Sequence, residues 1–171
     1  MRIRTGQVAD AEQLAWLHVR AWQQAYAGLL PADYLDGLMA ELSRRTERWR
    51  EWLPTSPPWI AEAGDRQIIG FATWGPSRDD DAVPVKTGEI GAIYVLAEHW
   101  GTGVGRELMQ AALASLRNAG FSHATLWVLD GNVRARRFYE AGGWVLDGAT
   151  KDDPREDFVL HEVRYRIVLG V

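Results

Sequence analysis

Apolar residues recur at helical spacing at Leu14, Leu17, Ala21, Trp22 and Ala25, which predicts an amphipathic helix early in the chain. Asp10 followed by Gln13 reads as its capping box, and Gly28 and Pro31 break it. Pro31 and Asp33 open a short second helix through Leu38. Ser43 caps a third, with Trp49, Trp52 and Leu53 on one side, and Pro54, Pro57 and Pro58 stop it. The period then changes. Arg2 to Thr5 reads as a short strand, and Trp59 to Ala63 turns through Gly64-Asp65-Arg66 into Gln67 to Trp74 as a hairpin. Pro76 to Thr87 is polar and carries Asp79-Asp80-Asp81, which reads as a solvated, mobile connection. Glu89 to Leu96 is the next strand. A helix with Val104, Leu108, Ala112 and Leu116 on one face follows and ends at Gly120. The remaining elements are a strand Ala124 to Leu129, a helix Asn132 to Ala141, a strand Trp144 to Ala149 and a long strand Phe158 to Leu169. This order mixes antiparallel hairpins with one crossover, so the fold class is α/β (α+β), a sheet with helices packed on it.

The composition narrows the function classes. At 171 residues, 47% hydrophobic and 25% charged, the chain is expected to form a single globular domain over 1–171. A net charge of -4 argues against a nucleic-acid partner. No apolar run approaches the ~20 residues of a membrane span, and Met1-Arg2-Ile3-Arg4 lacks the apolar stretch of a signal peptide. The expectation is therefore a cytoplasmic protein without a membrane partner. No cysteine is present, which removes disulfides, thiolate metal sites and a cysteine nucleophile. His18, His99, His123 and His161 lack metal-ligand spacing, so no metal is expected.

Candidate chemistry concentrates at residues 99–109, His-Trp-Gly-Thr-Gly-Val-Gly-Arg-Glu-Leu-Met. An apolar strand runs into Gly101, Gly103 and Gly105, and an amphipathic helix leaves them. The first turn of a helix has unpaired N–H groups and partial positive charge, so this segment is expected to cradle a phosphorylated ligand. A P-loop would continue Gly-Lys-Ser/Thr, whereas Gly105 is followed by Arg106 and Glu107. The dinucleotide fingerprint fits poorly too, because its third glycine is missing and the unit comes late in the chain.

Two further pieces join this segment. Asn132-Val-Arg-Ala135-Arg-Arg-Phe138-Tyr139-Glu, followed by Gly143-Trp144, lies one strand downstream, and Glu89 lies eleven residues ahead of Trp100. Together they resemble the GNAT acetyltransferase superfamily from about Gln67 to Val168, and more loosely through Trp22, Tyr26 and Pro31. The resemblance implies a mixed, mostly antiparallel sheet of about seven strands, splayed between strands 4 and 5, with helices on both faces. It implies acetyl-CoA as co-substrate and a small-molecule or peptide amine as acceptor. It places the pyrophosphate on Trp100, Gly101, Thr102, Gly103, Val104, Gly105 and Arg106. Trp100 stands where the family has Gln or Arg, which implies weaker or rearranged cofactor contacts. Backbone groups of Tyr94 and Val95 would hold the pantetheine arm, with the Val95 N–H polarising the thioester. Asn132, Ala135 and Phe138 would flank the cofactor, and Asn132 also suits a helix N-cap. Tyr139 matches the acid that protonates the departing thiolate, and Glu89 the base that takes the ammonium proton. The plain alternatives are a core aromatic for Tyr139 and a solvent-facing strand end for Glu89.

The acceptor side is less specific. Trp22 and Tyr26, with Tyr34, could wall an amine pocket, although helical spacing also suits Trp22 to the core. His18 lies on that side as either an acceptor-site residue or a packed or surface histidine. Two other readings share the fold: an acyl-CoA sensor without turnover, and a transferase using another acyl donor. Members of the superfamily often pair, so a homodimer is a further expectation.

Overall fold

The computed structural model describes residues 1–81 and 86–170. Seven strands form one sheet in the order β1-β2-β3-β4-β5-β7-β6. They are β1 (Arg2–Thr5), β2 (Trp59–Glu62), β3 (Ile68–Pro76), β4 (Thr87–Val95), β5 (His123–Leu129), β6 (Val145–Pro154) and β7 (Val159–Val168). The helices are α1 (Ala11–Ala25), α2 (Ala32–Gly37), α3 (Leu42–Trp52), α4 (Val104–Asn118) and α5 (Val133–Ala141). The β1–β2, β2–β3, β5–β7 and β6–β7 pairs are antiparallel, and β4–β5 is parallel. The expected mixed sheet is therefore present.

The chain forms two compact units. The first takes in Met1–Thr73 and Ala92–Ala112. Its core joins Leu14 and Leu17 of α1, Trp49 of α3, Ile60 of β2 and Phe71 of β3, all buried. The helical spacing read from the sequence is what brings the α1 pair to one face.

Two helix starts differ from the sequence reading. Asp10 does not cap α1. It ends a 3-10 turn (Val8–Asp10), where it accepts from Gln7 N at 2.7 Å and pairs with Arg4. A carboxylate flanked by a strand arginine is drawn to that cation rather than to the helix amides. Burial opposes the charge, but the Arg4 guanidinium prevails and holds the Asp10 carboxyl below its usual range. Gln13, expected to close the box, accepts instead from Ile68 N of β3. Ser43 likewise lies inside α3, because a 3-10 turn (Leu38–Glu41) delivers the chain already helical to Leu42.

The second unit comprises Trp74–Gly91 and the chain from Leu113 on. β5 and β7 pair through seven rungs, from His123↔Val168 to Leu129↔Glu162. The parallel β4–β5 ladder is shorter, with rungs at Thr87↔His123, Gly88↔Ala124 and Glu89↔Thr125. Gly88 sits under α4, and a Cβ there would lie 2.5 Å from the buried Leu116 side chain. β6 runs to Pro154, beyond the Ala149 expected, with an irregular register between Leu146 and Thr150. Its positive-φ Gly148 falls inside that irregular stretch, where two extra residues are accommodated without ending the ladder.

The acidic run Asp79-Asp80-Asp81 is solvated at Asp80 and Asp81, as expected, but Asp79 is half-buried and the run is tied to the sheet. Arg164 of β7 donates to Asp79 at 3.0 Å and to Asp81 at 2.7 Å, and Trp127 Nε1 donates to Asp79 at 2.9 Å. A half-buried guanidinium can satisfy several carboxylates at once through its five N–H donors. Residues 82–85 of that connection lie outside the described residues.

Candidate functional site

The glycine segment of the first unit is a helix start built from strained turns. Ala97–His99 forms a 3-10 turn after β4, and Thr102 Oγ1 donates to His99 O at 2.8 Å. Gly101 has φ +75° and Gly103 φ +94°. Both lie where an L side chain is strained, which explains glycine at these two positions. Gly103 O accepts from Glu107 N, the first bond of α4. The amides that precede that bond are the orphan donors of a helix N-terminus. Gly101, Thr102, Gly103 and Arg106 are exposed, whereas Val104 is buried beneath them. Arg106 thus brings a guanidinium to the same exposed end.

Trp100 explains part of its departure from the family pattern. Its indole Nε1 donates to Val95 O at 2.8 Å, so this side chain braces the end of β4 rather than reaching outward as Gln or Arg would. Tyr94 is half-buried, and its hydroxyl lies 3.1 Å from the Tyr26 hydroxyl. Trp22 packs edge-on to Tyr26, with ring centroids 4.9 Å apart, and against the small cluster Val19, Leu35 and Leu38. Its indole Nε1 is buried with no hydrogen-bond partner. Trp22 and Tyr26 therefore stand together, in a packing that serves the core.

His18 is packed rather than at the surface. Its ring lies 5.3–6.2 Å from those of Trp22, Trp49, Phe71 and Tyr94. Burial, then the nearby Arg45 and Arg48 charges, lowers its pKa from 6.5 to about 4. It is a neutral imidazole at physiological pH.

In the second unit, Glu89 is buried at 5% exposure, which corrects the solvent-facing alternative. Its carboxylate is held by Arg78. Arg78 Nη2 donates to Oε1 at 2.6 Å, while Arg78 Nε at 3.3 Å and the backbone N at 3.1 Å donate to Oε2. Hydrogen bonding to that carboxylate raises the Arg78 pKa, so Arg78 stays charged. Asn132 caps α5 by accepting from Ala135 N at 3.1 Å, as its residue type suggested. One face of α5 buries Tyr139 at 8% exposure against the rings of Trp144 and Tyr165. Phe138, its neighbour, is 38% exposed.

Sequence reasoning missed Arg78, Trp127 and Arg164. Arg78 was legible in principle. Ser77 N donates to Thr87 O, which sets residue 78 beside the start of β4, two residues from Glu89. Arg164 gave no local signal, since its partners lie far away in sequence. Among the described residues no group of His, Asp and Glu is placed to hold a metal ion, and no helix is long and apolar enough to cross a membrane.

The Acetyltransferase (GNAT) family profile matches residues 12–144, and the chain belongs to that family of enzymes. A probable N-acetyltransferase of Mycobacterium tuberculosis is 32% identical over 152 residues, 88% of this chain and 83% of its own. The same fold occurs in the PaiA N-acetyltransferase of Thermoplasma acidophilum, solved with coenzyme A. The two share a TM-score of 0.73 and 18% identity, over 98% of each chain. It also occurs in YncA of Salmonella typhimurium, solved with its cofactor acetyl-CoA. There the TM-score is 0.73 at 20% identity, over 100% of this chain and 95% of that one.

Proposed function

We propose that this enzyme moves an acetyl group from acetyl-CoA directly to a primary amine of a small molecule or peptide. The observation that carries the reading is the left-handed Gly101 and Gly103 turn at the start of α4, in a chain of the GNAT family. That turn leaves main-chain N–H groups and the helix dipole for the pyrophosphate. The coenzyme A and acetyl-CoA held by the two structural neighbours support the same donor.

The chemistry follows from proton accounting. An ammonium cannot attack a thioester because its lone pair is occupied. Glu89 takes its proton, the freed nitrogen forms the C–N bond, and the C–S bond breaks. Tyr139 gives a proton to the departing thiolate and recovers one from solvent. General acid–base help of this kind is worth about 10²–10⁴-fold. Burial strengthens the electrostatics of the Glu89 carboxylate, whose charged partner is Arg78. No acyl-enzyme is required, and the chain has no cysteine to form a thioester.

The test is thiol release from acetyl-CoA against an amine panel. Thiol release that depends on an amine supports the proposal. Binding of acetyl-CoA without release for any amine makes the protein a sensor. Faster release from succinyl-CoA than from acetyl-CoA makes another acyl group the donor.

A further inference from the structure

No motif called for Arg78. It belongs to the Ser77–Asp81 stretch, which is pinned to the second unit by Trp127 and Arg164 through Asp79 and Asp81. From that anchored stretch Arg78 places two side-chain donors and its own backbone N–H on Glu89. The resulting pair is lopsided. The Glu89 side chain is 7% exposed, and that of Arg78 is 78% exposed. The carboxylate depends on the guanidinium for its countercharge, while the guanidinium can return to water at little cost. Its backbone N–H stays on Oε2 whether or not the side chain leaves, so a displaced guanidinium remains tethered within one side-chain length of Glu89.

We propose that Arg78 and Glu89 form a two-ended receptor for a zwitterionic acceptor, an amine that carries a carboxylate or similar anion close to its nitrogen, as an amino acid does. This inference rests on the acetyltransferase reading and adds the acceptor class. An amine that approaches Glu89 as an ammonium must take the place of the guanidinium. A simple monoamine restores the countercharge of Glu89 and leaves Arg78 with none. A zwitterion serves both ends: its ammonium replaces the guanidinium at Glu89, and its anion receives the planar fork of Arg78 in bidentate fashion. One internal ion pair becomes two with the ligand.

The surroundings favour Arg78 for this task. Arg164 is already engaged by Asp79, Asp81 and Asp147. Lys151 is paired with Glu162 and lies over the Trp127 ring at 4.3 Å. Beside Arg78 lies a shallow, open depression of about 370 Å³, lined by Asp79, Asp80 and Asp81 as well as by Trp127, Thr150 and Lys151.

The experiment compares matched acceptors with acetyl-CoA: L-leucine against isoamylamine, and L-phenylalanine against phenethylamine. Specificity, kcat/KM, is measured for wild type, Arg78→Gln and Arg78→Lys. Wild type is expected to favour each amino acid by about tenfold or more, the scale of one charge-assisted contact. Arg78→Gln is expected to erase that preference mainly through KM for the amino acid, and Arg78→Lys to restore part of it. Equal use of both members of each pair by wild type overturns the proposal. So does a preference that survives in Arg78→Gln. Turnover of other amines with none of these four overturns this proposal alone, whereas no turnover of any amine in the wider panel overturns the acetyltransferase reading, and this proposal falls with it.

Discussion

Replacing Arg164 with methionine should destabilise the second unit far more than the loss of an ordinary surface arginine. The Arg164 side chain is 12% exposed and pairs with Asp79, Asp81 and Asp147. Two of those carboxylates are themselves mostly covered, at 17% for Asp79 and 16% for Asp147. Asp81, at 64%, is hydrated and adds little as an exposed pair. Removing one partner of a buried pair leaves an uncompensated charge, at a cost of about 3–5 kcal/mol. Methionine keeps most of the apolar stem, so the loss reports charge rather than volume. The expected destabilisation is about 3 kcal/mol, read as a fall in urea midpoint of roughly 1 M or more. Arg155→Met is the control. Its partner is Asp153, the two side chains are 37% and 41% exposed, and a change below about 0.5 kcal/mol is expected. Equal effects of the two substitutions would refute the reasoning, as would a loss at Arg164 below about 1 kcal/mol.

Two further outcomes are expected. His18 titrates at about 4 in the folded chain against 6.5 when unfolded, so the unfolded state takes up the proton first as pH falls. Stability is then full above pH 6.5 and declines between 6.5 and 4, with a loss of about 2 kcal/mol between pH 7.5 and 5. His18→Gln should flatten that part of the urea-midpoint profile, and parallel profiles would rule the histidine out as its cause. Tyr139→Phe keeps the ring contacts with Trp144 and Tyr165 but removes the hydroxyl, so kcat should fall about 10²-fold with acetyl-CoA affinity unchanged; an unchanged kcat would remove Tyr139 as the acid.

The sequence disclosed this fold unevenly, for physical reasons. Helix α1 was legible because Leu14, Leu17 and Ala21 share a face that must be buried. The glycine turn was legible because only glycine occupies the conformations of Gly101 and Gly103 without strain. Asn132 declared itself through the local geometry of a cap. Local rules failed where a distant charge intervened. Asp10 abandoned a capping role for Arg4, and Asp79 and Asp81 were drawn down by Arg164, eighty or more residues away. Glu89 was singled out by its place in the strand, but its burial and its Arg78 partner are tertiary facts. Trp100 shows the same limit. Its departure from the family pattern was visible, yet the bond from its indole to Val95 O was not.

The claim beneath this account is that the main chain around Gly103 grips the diphosphate of acetyl-CoA. A calorimetric titration of acetyl-CoA into wild-type protein and Gly103→Val, with folding of both verified by circular dichroism, tests it most directly. The account predicts saturable association in wild type and an affinity at least about tenfold weaker, or about 1.4 kcal/mol, in the variant. No association in wild type, or equal affinity in the two proteins, would contradict it.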